Sequence, residues 1–302
     1  MTRWIRRIGY VVGTLVVLVI MLSGFVVYKT NSMMTKKYAT APHPITVVSD
    51  SVALARGEHL VTVIGKCTNC HTANLGGKIF IDDAGGLGQV VAPNLTRGAG
   101  GVGNLLSDDR MAHAIRRGIK HDSTTALVMP ADDYQYFSDE DVAAVIAYVR
   151  SLPPVDHQLP MTKLGPLGRA LSVAGQLPIF MAEQVDPNMT FVKTVVPDSS
   201  IAYGDYLAHT GGCTGCHGPT LSGGKIPGTP PEWPSAANIT PTGVSKYTDE
   251  QIENILRTGK RPDGTSVNDI MPWKYTTNMT PLEMRATLKY LRTVKPKAFG
   301  GR

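Results

Sequence analysis

The second half of this 302-residue chain repeats the first half at an offset of about 141–147 residues. Six segments match in the same order: residues 56–60 with 203–207, 66–71 with 212–217, 93–96 with 237–240, 107–118 with 248–259, Met129-Pro130 with Met271-Pro272, and 138–152 with 280–294. Because this length accommodates two ordinary domains, two copies of one domain is the economical interpretation. We therefore predict a first module at residues 50–154, a second module at 200–297, and a connector at 155–199.

Helix signals dominate both modules. Capping boxes, or weaker versions of them, occur at Thr280 with Glu283, at Thr248 with Gln251, and at Ser138 with Asp141. Apolar residues at helical spacing follow Ser138 and Thr280, and the connector holds one more candidate helix in the letters LGRALSVAGQL. Each module is thus predicted as a short helix, a CxxCH segment, a long loop, a helix, a Met-Pro loop and a final helix. No convincing strand pattern is present, so the predicted fold class is all-α.

All four cysteines belong to two CxxCH segments, namely Cys67, Cys70 and His71, and Cys213, Cys216 and His217. Thiols at this spacing can add to both vinyl groups on one edge of a haem, and the next residue then places its imidazole under the iron. A disulfide, a redox dithiol and half of a zinc site are the alternative uses of a CxxC pair. Two copies at equivalent repeat positions, each followed at once by histidine, favour two covalently attached haem c groups, with His71 and His217 as iron ligands.

The sixth iron ligand in each module is predicted from a second repeated pair, Met129 and Met271. They lie 58 and 54 residues after their histidines, and each is followed by a proline that restricts the loop. A single methionine is more often core filler, but only this pair shares a repeat position, the proline and a helix start nine residues later. His113 or His121 for the first iron, and Met279 for the second, remain alternatives.

Three further residue pairs coincide in the repeat: Asn94 with Asn238, Arg116 with Arg257, and Tyr148 with Tyr290. The asparagines either form turns or donate to a haem propionate or to the backbone, and the arginines either balance a propionate or are ordinary solvated helix residues. The tyrosines are predicted to pack against the helix that carries Gly57 or Gly204. The histidines without repeated equivalents are predicted to be surface or structural residues: His43, His59, His157 and His209.

An apolar segment precedes the first module. From Ile8 to Tyr28 there are 21 uncharged residues, which as a helix would span roughly 31 Å at ~1.5 Å per residue. Three arginines precede this segment, as in both signal peptides and membrane anchors. The segment is longer than the ~7–15 residues of a signal-peptide core, and no small-x-small cleavage site follows it closely. We therefore predict an uncleaved single-pass anchor at residues 1–37.

The charge distribution bears on the partners. The formal net charge is +6, but residues 1–37 hold six basic residues and no acid, and the remaining chain has 24 basic and 24 acidic residues. This balance removes the main support for a nucleic-acid partner. Two haems would add four propionates to the modules, which would then favour a partner with a positively charged docking face.

Together, these motifs resemble the class I cytochrome c fold. The stretch APNLTRGAGGVGNLLSDDRM…MPADDYQYFSDEDVAAVIAYVRSLPPV is similar to haem modules in the cytochrome subunits of membrane-bound alcohol and gluconate dehydrogenases. The resemblance covers about residues 50–297 and implies two tandem class I cytochrome c domains after a transmembrane helix. It also implies haem attached through the four cysteines, with His71 and Met129, and His217 and Met271, as axial pairs.

The chain departs from that group because those subunits often carry three haems and lack this anchor, so the resemblance does not identify the partner. In bacterial relatives haem is attached outside the cytoplasmic membrane. The resemblance therefore implies that residues 1–7 lie inside, and that both modules lie on the periplasmic side or its equivalent.

Transfer of single electrons is the predicted function, from a dehydrogenase or a quinol-side donor to an oxidase or cytochrome acceptor. Iron with His and Met ligands has no open position and a raised potential, so no catalytic residue and no small-molecule substrate are expected. The protein would be a tethered carrier or the cytochrome subunit of a respiratory complex. A two-haem peroxidase is the alternative, and it needs one iron with an open or displaceable position. A transmembrane sensor is disfavoured, because the seven residues predicted inside cannot form a signalling domain.

Overall fold

The predicted anchor is part of one long helix, α1 (Arg3–Thr35), in the computed structural model, which describes residues 3–83 and 85–301. Residues 1 and 2 of the predicted anchor lie outside the described residues. The most apolar 18-residue window of α1 has a mean hydropathy of 2.6, and none of that window is buried against the rest of the protein. By length and composition, α1 is therefore able to cross a bilayer.

The first module contains the predicted order of helices, and α2 continues directly into a π-helical turn at Leu60–Ile64. Its helices are α2 (Ser51–His59), α3 (Cys67–His71), α4 (Asp108–Arg117), α5 (Ala131–Tyr134) and α6 (Asp139–Ser151). The Ser138 hydroxyl accepts from the Asp141 amide at the start of α6, without the reciprocal bond of a full capping box. The helix predicted in the connector is α7 (Pro166–Val173).

The second module repeats this order with one additional four-residue helix, α10 (Pro241–Val244). Its other helices are α8 (Ile201–Thr210), α9 (Cys213–His217), α11 (Asp249–Thr258), α12 (Trp273–Thr276) and α13 (Pro281–Thr293). Both capping boxes predicted here are confirmed, at the starts of α11 and α13. Each box satisfies two backbone donors at a helix start, which fixes where the helix begins.

In each module the first helix packs closely on the last helix through a glycine. A Cβ added at Gly57 would lie 2.0 Å from the Ala144 carbonyl oxygen and 2.8 Å from the Tyr148 Cβ. At Gly204 the corresponding distances, to the Ala286 oxygen and the Tyr290 Cβ, are 2.0 and 2.7 Å. Since no Cβ fits at these distances, the repeated glycines allow the helix crossing. The predicted packing of both tyrosines against these helices is confirmed.

The all-α prediction is only approximate, because the first module carries a small antiparallel sheet. Strands β1 (Lys78–Asp83), β2 (Gly88–Ala92) and β3 (Lys163–Leu164) lie in the order β1-β2-β3, with a bulge between Ile79 and Ile81. The sequences of β1 (KIFIDD) and β2 (GQVVA) do not alternate between apolar and polar residues, and β3 has only two residues. The third strand comes from the connector, so the sheet depends on tertiary contacts that local sequence patterns do not reveal.

The connector holds the end of α1 against the first module. Arg169 of α7 donates from Nη1 to Thr30 Oγ1 at 3.0 Å and to Asn31 Oδ1 at 2.8 Å. Farther along, Lys36 forms an ion pair with Glu183 at 2.8 Å. The chain that leaves the helix is thus fixed by several contacts at once.

The two modules contact each other through side chains at equivalent repeat positions. His59 of α2 and Tyr206 of α8 occupy the same repeat position, as do Asp141 of α6 and Glu283 of α13. His59 Nε2 lies 2.9 Å from a Glu283 carboxylate oxygen, and the Tyr206 hydroxyl donates to the Asp141 carboxylate at 2.5 Å. Each module therefore contributes its first helix to the last helix of the other, as in an interface with two-fold symmetry.

Candidate haem sites

The first CxxCH segment forms the single-turn helix α3, and one ring nitrogen of its His71 is hydrogen-bonded to a backbone carbonyl. His71 Nδ1 lies 2.8 Å from the Pro93 carbonyl oxygen. A carbonyl oxygen can only accept, so Nδ1 carries the proton and Nε2 keeps its lone pair. Burial lowers the pKa of His71, while the bond to Pro93 acts in the opposite direction. The imidazole is therefore held in the neutral form and orientation in which Nε2 can bind a metal ion.

The second CxxCH segment repeats this geometry. His217 is buried in α9, and its Nδ1 lies 2.7 Å from the Ala237 carbonyl oxygen. Pro93 and Ala237 were not predicted as functional residues, because a backbone carbonyl leaves no signature in the identity of its residue. The available signal was the repeated Asn-apolar-Thr segment that follows each of them.

The repeated asparagines explain how these carbonyls are held. Asn94 donates from Nδ2 to the Val155 carbonyl at 2.7 Å and accepts from the Thr96 amide at 2.9 Å. Asn238 makes the matching bonds, to the Lys297 carbonyl at 2.8 Å and from the Thr240 amide at 2.9 Å. Both asparagines therefore donate to the backbone, as one prediction had it, and the bond from the amide two residues later also forms the predicted turn. They tie the loop that orients each histidine to the chain that leaves the final helix of the module.

Two of the thiols, Cys67 and Cys213, lack the lowered pKa of a redox-active pair. Among the described residues the cysteines form no disulfide with one another. Burial raises the pKa of Cys67 and of Cys213 to about 11, whereas redox-active CxxC pairs depend on a lowered thiol pKa. Within the described ranges, no cluster of three or more His, Cys, Asp or Glu side chains is arranged to hold a metal ion.

Each predicted methionine ligand stands at the start of a tight turn. Pro130 has φ −77° and ψ 62°, and the Ala131 amide donates to the Met129 carbonyl at 2.7 Å. At the equivalent place, the Trp273 amide donates to the Met271 carbonyl at 2.8 Å. This is the inverse γ-turn geometry, and it restricts how the thioether can be presented. Both methionines are half-buried, and Met129 packs against the main core.

The alternative ligands lie in different surroundings. Met279 is buried as part of the main core, and His121 is exposed on the surface. His113 is buried in α4, where its Nε2 lies 3.6 Å from Asp109. The donor sets at the two equivalent places, two thiols, one oriented imidazole and one half-buried thioether, fit haem c.

The repeated arginines and the unrepeated histidines have polar partners within the protein. Arg116 is buried and donates to Asp139 at 2.7 Å, whereas Arg257 pairs with Glu253 at 2.8 Å. These arginines therefore have carboxylate partners of their own, and the partners differ between the modules. The unrepeated histidines have the structural roles predicted for them, with polar groups near His43, His59, His157 and His209 at 2.8 to 3.0 Å.

Comparisons of this chain with a family model and with known proteins agree on one family. The model of the cytochrome c family matches residues 54–153 and 201–295, the two halves of the repeat. The cytochrome c subunit of a quinone-dependent alcohol dehydrogenase from Gluconobacter oxydans is 29% identical over 277 residues, covering 82% of this chain and 55% of that subunit.

Two other relatives have related descriptions. The fructose dehydrogenase cytochrome subunit of Gluconobacter japonicus is 27% identical over 290 residues, covering 87% of this chain and 56% of that subunit. The gluconate 2-dehydrogenase cytochrome c subunit of Pantoea cypripedii is 30% identical over 181 residues, covering 57% of this chain and 39% of that subunit. The chain spans about half the length of the first two relatives and less of the third.

Proposed function

We propose, since this chain belongs to the cytochrome c family, that it carries two haem c groups and transfers single electrons at the outer face of the cytoplasmic membrane. Cys67 and Cys70 attach one haem, and Cys213 and Cys216 attach the other. When bound, each haem supplies a one-electron couple between ferric and ferrous iron. One haem belongs to each module, with the module boundaries at residues 50–154 and 200–297.

The observation that carries this proposal is the repeated orientation of the two histidines. His71 and His217 each donate from Nδ1 to a backbone carbonyl, at 2.8 and 2.7 Å. This bond leaves Nε2 of each ring as the proximal ligand and increases its basicity. The same environment in both modules argues for the same cofactor in both.

Met129 and Met271 would each supply a thioether as the second protein ligand of an iron. A thioether ligand raises the reduction potential of a haem, and a six-coordinate iron has no position for a substrate. The tight Met-Pro turns hold the ligand through cycles of oxidation and reduction, because the backbone has little freedom to withdraw it. Both features suit an electron carrier.

The redox partners are proposed from the relatives, which are cytochrome subunits of alcohol, fructose and gluconate dehydrogenases. A dehydrogenase or a quinol-side donor would reduce this protein, and an oxidase or cytochrome would accept its electrons. α1 would anchor it in the membrane as a tethered carrier or as a stable subunit. Because Lys37 and Tyr38, just after α1, donate to the Asp122 and Ser123 carbonyls of the first module at 2.7 and 2.9 Å, that module would stand nearer the membrane.

A redox titration of the detergent-solubilised, haem-loaded protein tests this function. We expect two one-electron steps per chain, low-spin ferric spectra for both irons, and no consumption of added hydrogen peroxide. A two-haem peroxidase would instead show one high-spin or ligand-accessible iron and would consume peroxide. That result would replace the electron-carrier proposal with the enzyme alternative.

A further inference from the structure

Asp133 of the first module lies on the haem-attachment turn of the second module. Its side chain is buried in α5, with 8% of the residue exposed, and its Oδ1 lies 3.2 Å from the Thr214 hydroxyl of α9. A Cβ added at Gly212 would lie 2.9 Å from Asp133 Oδ2, and one added at Gly215 would lie 3.1 Å away. The carboxylate therefore occupies space beside the CxxCH turn that these two glycines leave open.

The repeat shows that this contact is not shared by the two modules. The residues of the first attachment segment equivalent to Gly212 and Gly215 are Lys66 and Asn69, and the residue equivalent to Asp133 is Tyr275. The acid and the two glycines that make room for it thus occur together, on one side of the interface only. The second attachment turn therefore has a buried carboxylate beside it, whereas the residue equivalent to that acid is Tyr275.

Six titratable groups among the described residues interact with the charge of Asp133. Lys66, just before the first CxxCH, reaches across the interface and donates to the Gly211 carbonyl at 2.5 Å. Burial, with a smaller contribution from neighbouring Asp132, raises the pKa of Asp133 to about 7 against the opposing effects of Thr214, Lys66 and His209. The other three groups are Tyr134, Tyr136 and the Cys213 thiol, and haem attachment would consume that thiol.

We propose that Asp133 lowers the reduction potential of the haem iron in the second module and couples reduction of that iron to uptake of a proton. The inference rests on the proposed function, because it requires a haem attached at Cys213 and Cys216. A negative charge beside an iron stabilises the ferric form, which carries one more positive charge than the ferrous form. Asp133 would thus affect the reduction potential through its negative charge, and it would not be a ligand of the iron.

The coupled step balances as follows. One electron arrives from the donor protein and reduces ferric iron, so one positive charge near Asp133 is lost. The carboxylate then binds a proton from solvent, and it releases that proton when the electron leaves. At low pH Asp133 is protonated in both redox states and the potential is high. As the pH rises through neutrality Asp133 ionises, and the potential falls to a lower plateau.

Potentiometry of the full-length, haem-loaded protein tests this inference. Asp133→Asn should shift the ferrous-to-ferric equilibrium of the second iron on the order of tenfold towards ferrous, or ~59 mV for a one-electron couple. The same variant should abolish most of the pH dependence of that potential. Asp133→Glu should retain the dependence, and Glu140→Gln, at an exposed site of the same module, should leave both potentials unchanged. Met271→Ala, in which only the second site is altered, assigns the two potentials.

Several results would overturn the inference. One is a second-module potential in the native protein that does not vary between about pH 5 and pH 9, a measurement that needs no variant to fold. Another is a pH dependence that persists in Asp133→Asn, which would assign the proton to His209 or to a propionate. The number of haems per chain, measured on the same samples, distinguishes failure of the proposed function from failure of the role proposed for Asp133. Loss of the second haem from the native protein would contradict the proposed function, whereas two haems with an unchanged potential would contradict only the role of Asp133.

Discussion

Replacing Met271 with alanine should remove the sixth ligand from the second iron and leave the first iron unchanged. Alanine cannot coordinate iron, so the weak charge-transfer band of ferric His/Met haem at the red edge of the visible spectrum should lose the share of one haem. The potential of that iron should fall, because the thioether raises it. Met129→Ala should produce the same changes at the first iron.

Met279 provides a matched control for this experiment. It is a second methionine of the same module, but it is buried in the main core. Met279→Ala should therefore retain the full band while lowering the free energy of unfolding by about 2–5 kcal/mol. If the Met271 variant keeps its spectrum and the Met279 variant loses the band, the ligand assignment in the second module is wrong. An unchanged spectrum in Met129→Ala would reopen His113 and His121 for the first iron.

Replacing Glu283 with alanine should destabilise the pair of modules by about 3–5 kcal/mol, the usual cost of removing one partner from a buried ion pair. The Glu283 side chain is 3% exposed, and it lies 2.9 Å from His59 Nε2 and 3.6 Å from Arg56 across the interface. It also completes the capping box of α13 with Thr280. Its removal therefore affects both the interface and the start of the final helix.

The pKa of Glu283 gives this prediction a pH dependence. Burial would raise this pKa, but the hydrogen bonds from His59 and Thr280 outweigh burial and hold it below its ordinary value. The stabilisation is therefore present above the unfolded pKa and is lost as the pH falls through the folded pKa. Glu283→Ala should show less of this loss on acidification than the native protein.

Chemical unfolding of the haem-loaded protein in detergent provides the measurement for both effects. Glu283→Gln, which preserves the capping box, should lose less stability than Glu283→Ala, and the exposed Glu232→Ala should leave the free energy of unfolding unchanged. If Glu283→Ala were as stable as the native protein, the contacts of Glu283 with His59 and Arg56 would not be what holds the modules together.

The repeat made most of this fold predictable, because two weak local signals at equivalent positions support each other. Helix order and capping boxes followed from residues close in sequence, and the glycine contacts of Tyr148 and Tyr290 followed from their coincidence in the repeat. The sheet did not, because β3 comes from the connector, about 70 residues after β2. Contacts between elements far apart in the chain leave little local pattern.

In the candidate sites, too, some features could be predicted from the sequence and others only from the fold. The cysteines, histidines and methionines carry chemistry in their side chains, so their spacing predicts a function. The carbonyls of Pro93 and Ala237 act through the backbone, which any residue supplies. Asp133 was not singled out either, because its significance depends on the opposite module. Only the fold brings it beside Gly212 and Gly215.

The intact mass of the denatured full-length chain tests the central claim most directly. Because thioether bonds survive denaturation and acidic acetone extraction, the mass should exceed that of the polypeptide by two haems. Cys70→Ser and Cys216→Ser should each hinder stable attachment in their own module alone. An increment of two haems, reduced to one in either variant, is the predicted result. A native increment of a single haem, or of zinc in place of haem, would contradict the claim that both CxxCH turns are haem-attachment sites.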